Sequence, residues 1–192
     1  NISSACDKNL FCSIDKSSAN IRKDLESLCP FILYSGACDP RKNVKGLLDA
    51  FSLLSDRCLH YKLVLVGKLL KSESELVDQW IQEFNIDPTR ITKLGYVSDQ
   101  DLVDLYRKCT LFVFPSFHEG FGLPVLEAMS CGAPVIGSNC TSIPEIIVLQ
   151  NAMFDPSDVL SIKAVMEKAL TSQSFMDDLM ANSINQKVRF SW

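Results

Sequence analysis

Leu111-Phe112-Val113-Phe114-Pro115-Ser116-Phe117-His118-Glu119-Gly120-Phe121-Gly122-Leu123-Pro124-Val125-Leu126-Glu127-Ala128-Met129-Ser130-Cys131-Gly132-Ala133-Pro134-Val135-Ile136-Gly137 is the stretch that decides the fold. Leu111 to Pro115 is an unbroken apolar run, the pattern of a strand buried on both faces. Gly120 and Gly122 interrupt it, and Pro124, tolerated in a first helical turn, opens a helix over Leu123 to Cys131. Gly132 stops that helix before a second apolar run, Pro134 to Gly137. Strand, helix and strand at this spacing predict two parallel strands joined by a crossover helix.

The same alternation extends outward in both directions. Further strands are predicted over Phe31 to Ser35, Lys62 to Val66 and Ile91 to Leu94. Apolar residues at helical spacing predict helices over Val44 to Ser55, Ser74 to Phe84, Asp99 to Cys109, Val159 to Leu170 and Phe175 to Val188. Ser98 is placed to cap the third of these, with Asp101 completing a capping-box pattern. Five strands with intervening helices predict an α/β fold, a doubly wound parallel sheet with right-handed crossovers. Residues 1–29, rich in Ser, Asn, Asp and Lys, read as a linker or incoming segment and residues 30–192 as the domain. A chain that starts at Asn1 and stops at Phe190-Ser191-Trp192 reads as a piece of a longer protein.

Composition narrows the function. The 192 residues are 47% hydrophobic and 22% charged with a net charge of -4, so a nucleic-acid partner, which demands a clustered basic surface, is not expected. No apolar run reaches the roughly 18 to 20 residues of a membrane span, and the N-terminus lacks a signal core. The eight cysteines form no Cys-x-x-Cys and have only two histidines beside them, which favours reduced thiols in a cytoplasmic protein over a disulfide scaffold or a zinc site.

In open α/β sheets ligands lie beyond the carboxyl ends of the strands, so the loops after the strands carry the chemistry. After the first strand, Arg41 and Lys42 stand just before a helix start, where an ammonium and exposed N–H groups suit a diphosphate. After the third, Tyr96 is an aromatic near a strand end that can stack on a base or merely pack, packing being the commoner outcome. In the loop after Leu111 to Pro115, Gly120 and Gly122 bare the backbone, so the N–H groups of Phe121, Gly122 and Leu123 can donate to ligand oxygens at the positive end of the helix. Glu127, about one turn into that helix, can accept two hydrogen bonds from a vicinal diol such as a ribose, and Glu119 meets the other end of the ligand. His118 reads as a surface residue. A glycosidase acid and nucleophile pair would need both carboxylates to flank one bond, and here a helix start lies between them.

These residues carry a resemblance. Gly36 to Lys42, Leu63 to Gly67, Gly95-Tyr96-Val97, Phe114-Pro115-Ser116, Glu119-Gly-Phe-Gly-Leu-Pro, Leu126-Glu127-Ala128-Met129, Gly132-x-Pro134-Val135-Ile136 and Pro144-Glu145 together resemble the C-terminal, donor-binding half of the retaining GT-B-fold glycosyltransferases of family 4. The resemblance implies a Rossmann-like domain that takes a nucleotide sugar such as GDP-mannose or UDP-hexose and no resident cofactor or metal. It implies Glu127 on the nucleotide ribose and Glu119 at the donor sugar with the amides of Gly120, Phe121 and Gly122. Lys42 then steadies the leaving diphosphate, Leu123 lies near the phosphates and Tyr96 and Val97 frame the base. Many relatives have an arginine where this chain has Ala37, so either Arg41 substitutes for it or the leaving group relies on Lys42 and amides alone. The Pro40-Arg41-Lys42-Asn43 wording resembles mannosyltransferases of polysaccharide biosynthesis. The acceptor, a glycan or a lipid-linked sugar, is expected to bind an N-terminal domain outside this chain, through which the protein would sit peripherally at the inner face of a membrane, leaving the fragment inactive alone. A sugar-nucleotide epimerase and a non-catalytic nucleotide-sugar-binding relative remain alternatives.

Overall fold

The computed structural model describes Phe11 and residues 27–190. Six parallel strands form one sheet: β1 (Phe31–Ser35), β2 (Lys62–Val66), β3 (Ile91–Gly95), β4 (Leu111–Phe114), β5 (Val135–Ser138) and β6 (Met153–Phe154). Their order across the sheet is β3-β2-β1-β4-β5-β6. The chain winds outward from β1 in one direction and from β4 in the other, so the order reverses between these two strands, and the crevice above their carboxyl ends is where such a sheet takes a ligand.

Seven α-helices accompany the strands among the described residues: α1 (Val44–Ser52), α2 (Lys71–Glu83), α3 (Asp99–Lys108), α4 (Leu123–Ser130), α5 (Ile143–Ile147), α6 (Val159–Thr171) and α7 (Gln173–Arg189). Every residue of β1, β4 and β5 is buried. A strand buried at successive residues must be covered on both faces, because its side chains alternate between them. The cover is supplied by α1, which packs against α2 and α6, and by α4, which packs against α3, α5 and α7. Edge strand β3 is only half-buried, and its Lys93 reaches the Asp78 carboxylate and the Ser74 hydroxyl of α2.

Five of the strands and six of the helices were expected from the sequence; β6 and α5 were not. The first is two residues long and the second five, too short to show a hydrophobic period. Helix α2 starts three residues before the expected Ser74, because Glu73 accepts a hydrogen bond from the Leu70 N–H (2.7 Å) and so caps the earlier turn. Ser98 caps α3 as expected, its hydroxyl accepting from the Asp101 N–H at 3.1 Å. The expected segment 1–29 falls almost wholly outside the described residues, although Phe11 is buried against the Tyr106 ring.

Candidate active site

Three strand-end loops converge above the β1–β4 reversal, and backbone chemistry holds them in register. Asn43 ends the β1 loop in the left-handed conformation that asparagine tolerates. Its side-chain oxygen caps α1 by accepting from the Gly46 N–H at 3.2 Å, and its amide donates to the carbonyls of Pro115 (3.2 Å) and Pro156 (2.7 Å). One buried side chain thus ties the β1 loop to the β4 loop and to the turn before α6. A second tie is the Phe117 N–H donating to the Arg41 carbonyl at 2.7 Å.

That register brings Lys42 and Glu119 together. The Lys42 ammonium donates to Glu119 Oε1 at 2.7 Å, with the two side chains 19% and 12% exposed. The ammonium also stands 5.7 Å from the centre of the Phe114 ring. The Glu119 backbone is fixed separately, its N–H donating to the Thr141 hydroxyl (3.1 Å) and its carbonyl accepting from the Ser142 hydroxyl (3.3 Å). Arg41 points elsewhere: its side chain is largely exposed and paired with Asp39, which it holds below the usual carboxylate range mainly through its side-chain hydrogen bond.

The glycine turn is shaped by packing as well as by ligand access. Gly122 caps α4 at φ 94°, and a Cβ there would lie 2.6 Å from the Ile143 Cδ1 of α5. Only glycine satisfies both constraints. Gly120 is exposed with open space beside it, and Phe121 packs edge-on against Phe190 at the end of α7 (6.1 Å between centroids). Leu123 stands partly exposed at the start of α4, and His118 is exposed.

Glu127 lines a cleft of about 230 Å³ whose walls include Gly36, Gly67, Tyr96, Val97 and Asp99. The floor is tight: a Cβ on Gly67 would come within 2.0 Å of the Gly36 carbonyl oxygen. Tyr96 is 79% exposed, an aromatic surface not consumed by packing. Burial raises the Glu127 pKa, a hydrogen bond from the Tyr106 hydroxyl (3.2 Å) works against that, and the Asp99 charge adds to it. The Tyr106 hydroxyl is also bonded to Ser35 Oγ at 2.8 Å.

Of the residues singled out in the sequence, Lys42 and Glu119 meet directly, and Glu127, Tyr96 and Val97 line one cleft, while the expected diphosphate ligand Arg41 turns to Asp39 instead. Ser35, Asn43, Tyr106, Thr141 and Ser142 were not singled out. Four of these act through side chains from other elements, for which a linear sequence holds no signal. Asn43 had one, being an Asn directly before a helical run. The sequence does contain one Asp-x-Asp spacing, Asp99-Gln100-Asp101, but it opens α3, where Asp101 faces the capping Ser98. No group of three or more His, Cys, Asp or Glu side chains among the described residues is arranged to hold a metal ion.

A carboxylate paired with an ammonium, a glycine turn at a helix start, and a second carboxylate lining a cleft of about 230 Å³ are groups that suit a sugar, a diphosphate and a nucleoside. The family profile described as "Glycosyl transferases group 1" matches residues 17–186. The chain belongs to the group 1 glycosyltransferases. It is 44% identical over 196 residues to the serotype-specific mannosyltransferase WbdA of Escherichia coli, an alignment covering all of this chain and 24% of that protein. It is 42% identical over 163 residues to the O-antigen chain mannosyltransferase B of Escherichia coli, covering 84% of this chain and 42% of that one. The chain thus spans about a quarter of the first of these relatives and about two fifths of the second. Among solved structures, HepE of Anabaena in complex with UDP and glucose superposes with a TM-score of 0.83 at 21% identity, over 97% of this chain and 52% of that one. Sucrose-phosphate synthase from Thermosynechococcus elongatus superposes with a TM-score of 0.80 at 23% identity, over 97% and 47%. These likenesses establish the Rossmann-like fold of a GT-B glycosyltransferase half. No described helix of this group 1 glycosyltransferase domain is long and apolar enough to cross a membrane.

Proposed function

We propose that this chain is the donor-binding domain of a retaining hexosyltransferase that moves mannose from a nucleotide diphosphate sugar to a glycan or lipid-linked acceptor. The observation that carries the proposal is the pairing of Lys42 with Glu119 across two loops, the second of which leads through the glycine turn into the helix whose Glu127 lines a cleft with Tyr96. The names of the two Escherichia coli relatives support mannose as the sugar.

Glu127, when ionised, accepts from the ribose diol, and Tyr96 offers a face to the base. The N–H groups of Gly120, Phe121 and Gly122 serve the sugar hydroxyls, and Leu123 the phosphate. As the bond from the anomeric carbon to the diphosphate oxygen breaks, its electron pair stays on the diphosphate. Negative charge grows there, and Lys42 with the helix-start amides stabilises it more than the ground state. That supply of positive charge removes the need for a divalent metal. The acceptor arrives on another domain, so the isolated domain binds donor without transferring it. A location at the inner face of a membrane fits a lipid-linked acceptor.

Calorimetric titration with GDP, UDP and ADP tests the proposal. One of the three should bind, GDP being expected for a mannose donor, and Lys42→Ala and Glu127→Ala should each weaken it at least tenfold, the scale of one lost charge-assisted bond. Unchanged affinity in both variants would sink the assignment, and absence of binding by all three nucleotides would favour a non-catalytic relative.

A further inference from the structure

Tyr106 sits on α3, outside every segment that the proposed function uses, yet its hydroxyl ends inside the nucleoside cleft. Its ring is wholly buried, set edge-on against Phe112 (5.3 Å between centroids, 80° between planes) and flanked by Phe11 at 6.3 Å. A phenylalanine would fill the same space, so the oxygen has a separate role. It stands 2.8 Å from Ser35 Oγ at the end of β1 and 3.2 Å from Glu127 Oε2 on α4.

The direction of the chain follows from proton count. A phenol carries one proton, and an ionised carboxylate can only accept. The Tyr106 proton therefore goes to Glu127, and Ser35 must be the donor to Tyr106. Burial, reinforced by the Glu127 charge, pushes the Tyr106 pKa well up, so the phenol keeps its proton throughout the working range. A chain of bonds from β1 through α3 thus ends on one carboxylate oxygen of α4, and polarisation along it strengthens the final bond.

We propose that Tyr106 is a positioning residue that sets the Glu127 carboxylate for the ribose cis-diol, and thereby makes the site select ribonucleotides over nucleotides lacking those hydroxyls. The inference rests on the reading of Glu127 as the ribose acceptor. A cis-diol presents two O–H donors, and receiving both requires the two carboxylate oxygens to lie in one plane facing the ligand. The Tyr106 hydroxyl takes one lone-pair direction of Oε2, and an ionised carboxylate has about three more to offer a ligand. A carboxylate so held has already lost the rotational freedom that binding would otherwise cost. Without the phenol it is free to turn, and the bond left to a single hydroxyl is worth less.

The test crosses protein variants with ligand truncation. Affinities of the chain for GDP and UDP are compared with those for 2′,3′-dideoxy-GDP and 2′,3′-dideoxy-UDP, in wild type, Tyr106→Phe, Ser35→Ala and Glu127→Gln. Wild type should prefer the ribo form of whichever base binds. Glu127→Gln should lose most of that preference, and Tyr106→Phe should lower it about tenfold while leaving the dideoxy affinity unchanged. Ser35→Ala, which keeps the ring in place, should lower it by a smaller factor, about threefold. Equal loss for ribo and dideoxy ligands in Tyr106→Phe would make the residue merely structural and overturn the inference, as would a preference unchanged in both Tyr106→Phe and Ser35→Ala. Failure of the underlying reading looks different: either wild type does not discriminate, or Glu127→Gln discriminates as well as wild type.

Discussion

Replacing Lys42 or Glu119 by alanine strips one member from an ion pair that is 2.7 Å long and mostly shielded from water. At that distance two unit charges attract by about 6 kcal/mol at an effective dielectric of 20 and by about 1.5 kcal/mol in bulk water. Desolvating both groups offsets most of the larger figure. A coupling of about 2 kcal/mol is left, within the range seen for contacting residues. Each single variant should then lose about 2 kcal/mol of stability, because it keeps a shielded charge without its partner. The double variant should lose about the same as either single one, since no orphaned charge remains. Urea unfolding of the chain, followed by tryptophan fluorescence, measures all four proteins. Losses that simply add, to within about 0.5 kcal/mol, would refute the coupling.

The same four proteins separate the two roles assigned to the pair. Lys42→Ala should weaken GDP far more than guanosine, since only the former brings a diphosphate to the ammonium. Glu119→Ala frees that ammonium, so GDP should bind at least as well as in wild type while the advantage of GDP-mannose over GDP disappears. Equal weakening of GDP by both variants would contradict the division of labour between them.

Two further outcomes are expected. Gly122→Ala forces a side chain into left-handed backbone and against Ile143, which should cost about 2 kcal/mol or more in urea unfolding; a loss below about 0.5 kcal/mol would show that the α4–α5 contact gives way freely. For Glu127, burial lifts the folded-state pKa above the unfolded value of about 4.3. Its native carboxyl therefore holds its proton more tightly than the unfolded one, so the stability it contributes is complete below about pH 4 and shrinks as pH rises through the lifted value. Glu127→Gln should be more stable than wild type at pH 7 and should match it near pH 4. Thermal unfolding across that range decides the matter, and a glutamine variant less stable than wild type at pH 7 would contradict it.

The strand and helix order was legible in the sequence because β1, β2, β4 and β5 are buried on both faces, which leaves short apolar runs that no amphipathic helix imitates. Glu119, Glu127 and Lys42 stand out as candidates for another reason: each sits at a fixed offset from a turn glycine or a helix start, and those signals are local. The contact between Lys42 and Glu119, 77 positions apart in the chain, is not a local property. It depends on β1 and β4 being sheet neighbours, which is the one adjacency that the winding order decides and hydrophobic periodicity leaves open. Tyr106 was invisible for a related reason. On α3 it occupies a core position at helical spacing, indistinguishable in sequence from Val103 or Leu105, and only the arrival of Ser35 and Glu127 at its hydroxyl gives it another role.

The chemistry proposed for this crevice needs donors that are already in place when charge develops, since donors that must reorganise during the step stabilise the transition state less. The loops themselves have little regular structure to hold them. Asn43 answers that requirement by joining α1, the β4 loop and the turn before α6 through three bonds from one side chain. Thr141 and Ser142 do the same for the Glu119 backbone, and Ser35 with Tyr106 for the Glu127 carboxylate. Each charged residue of the site is thus placed by neutral side chains rooted in the sheet or in the ends of helices. Lys42 neutralises Glu119, and the Tyr106 bond restrains Glu127. The donor would enter a site whose loops have little left to rearrange beyond the opening of a single ion pair.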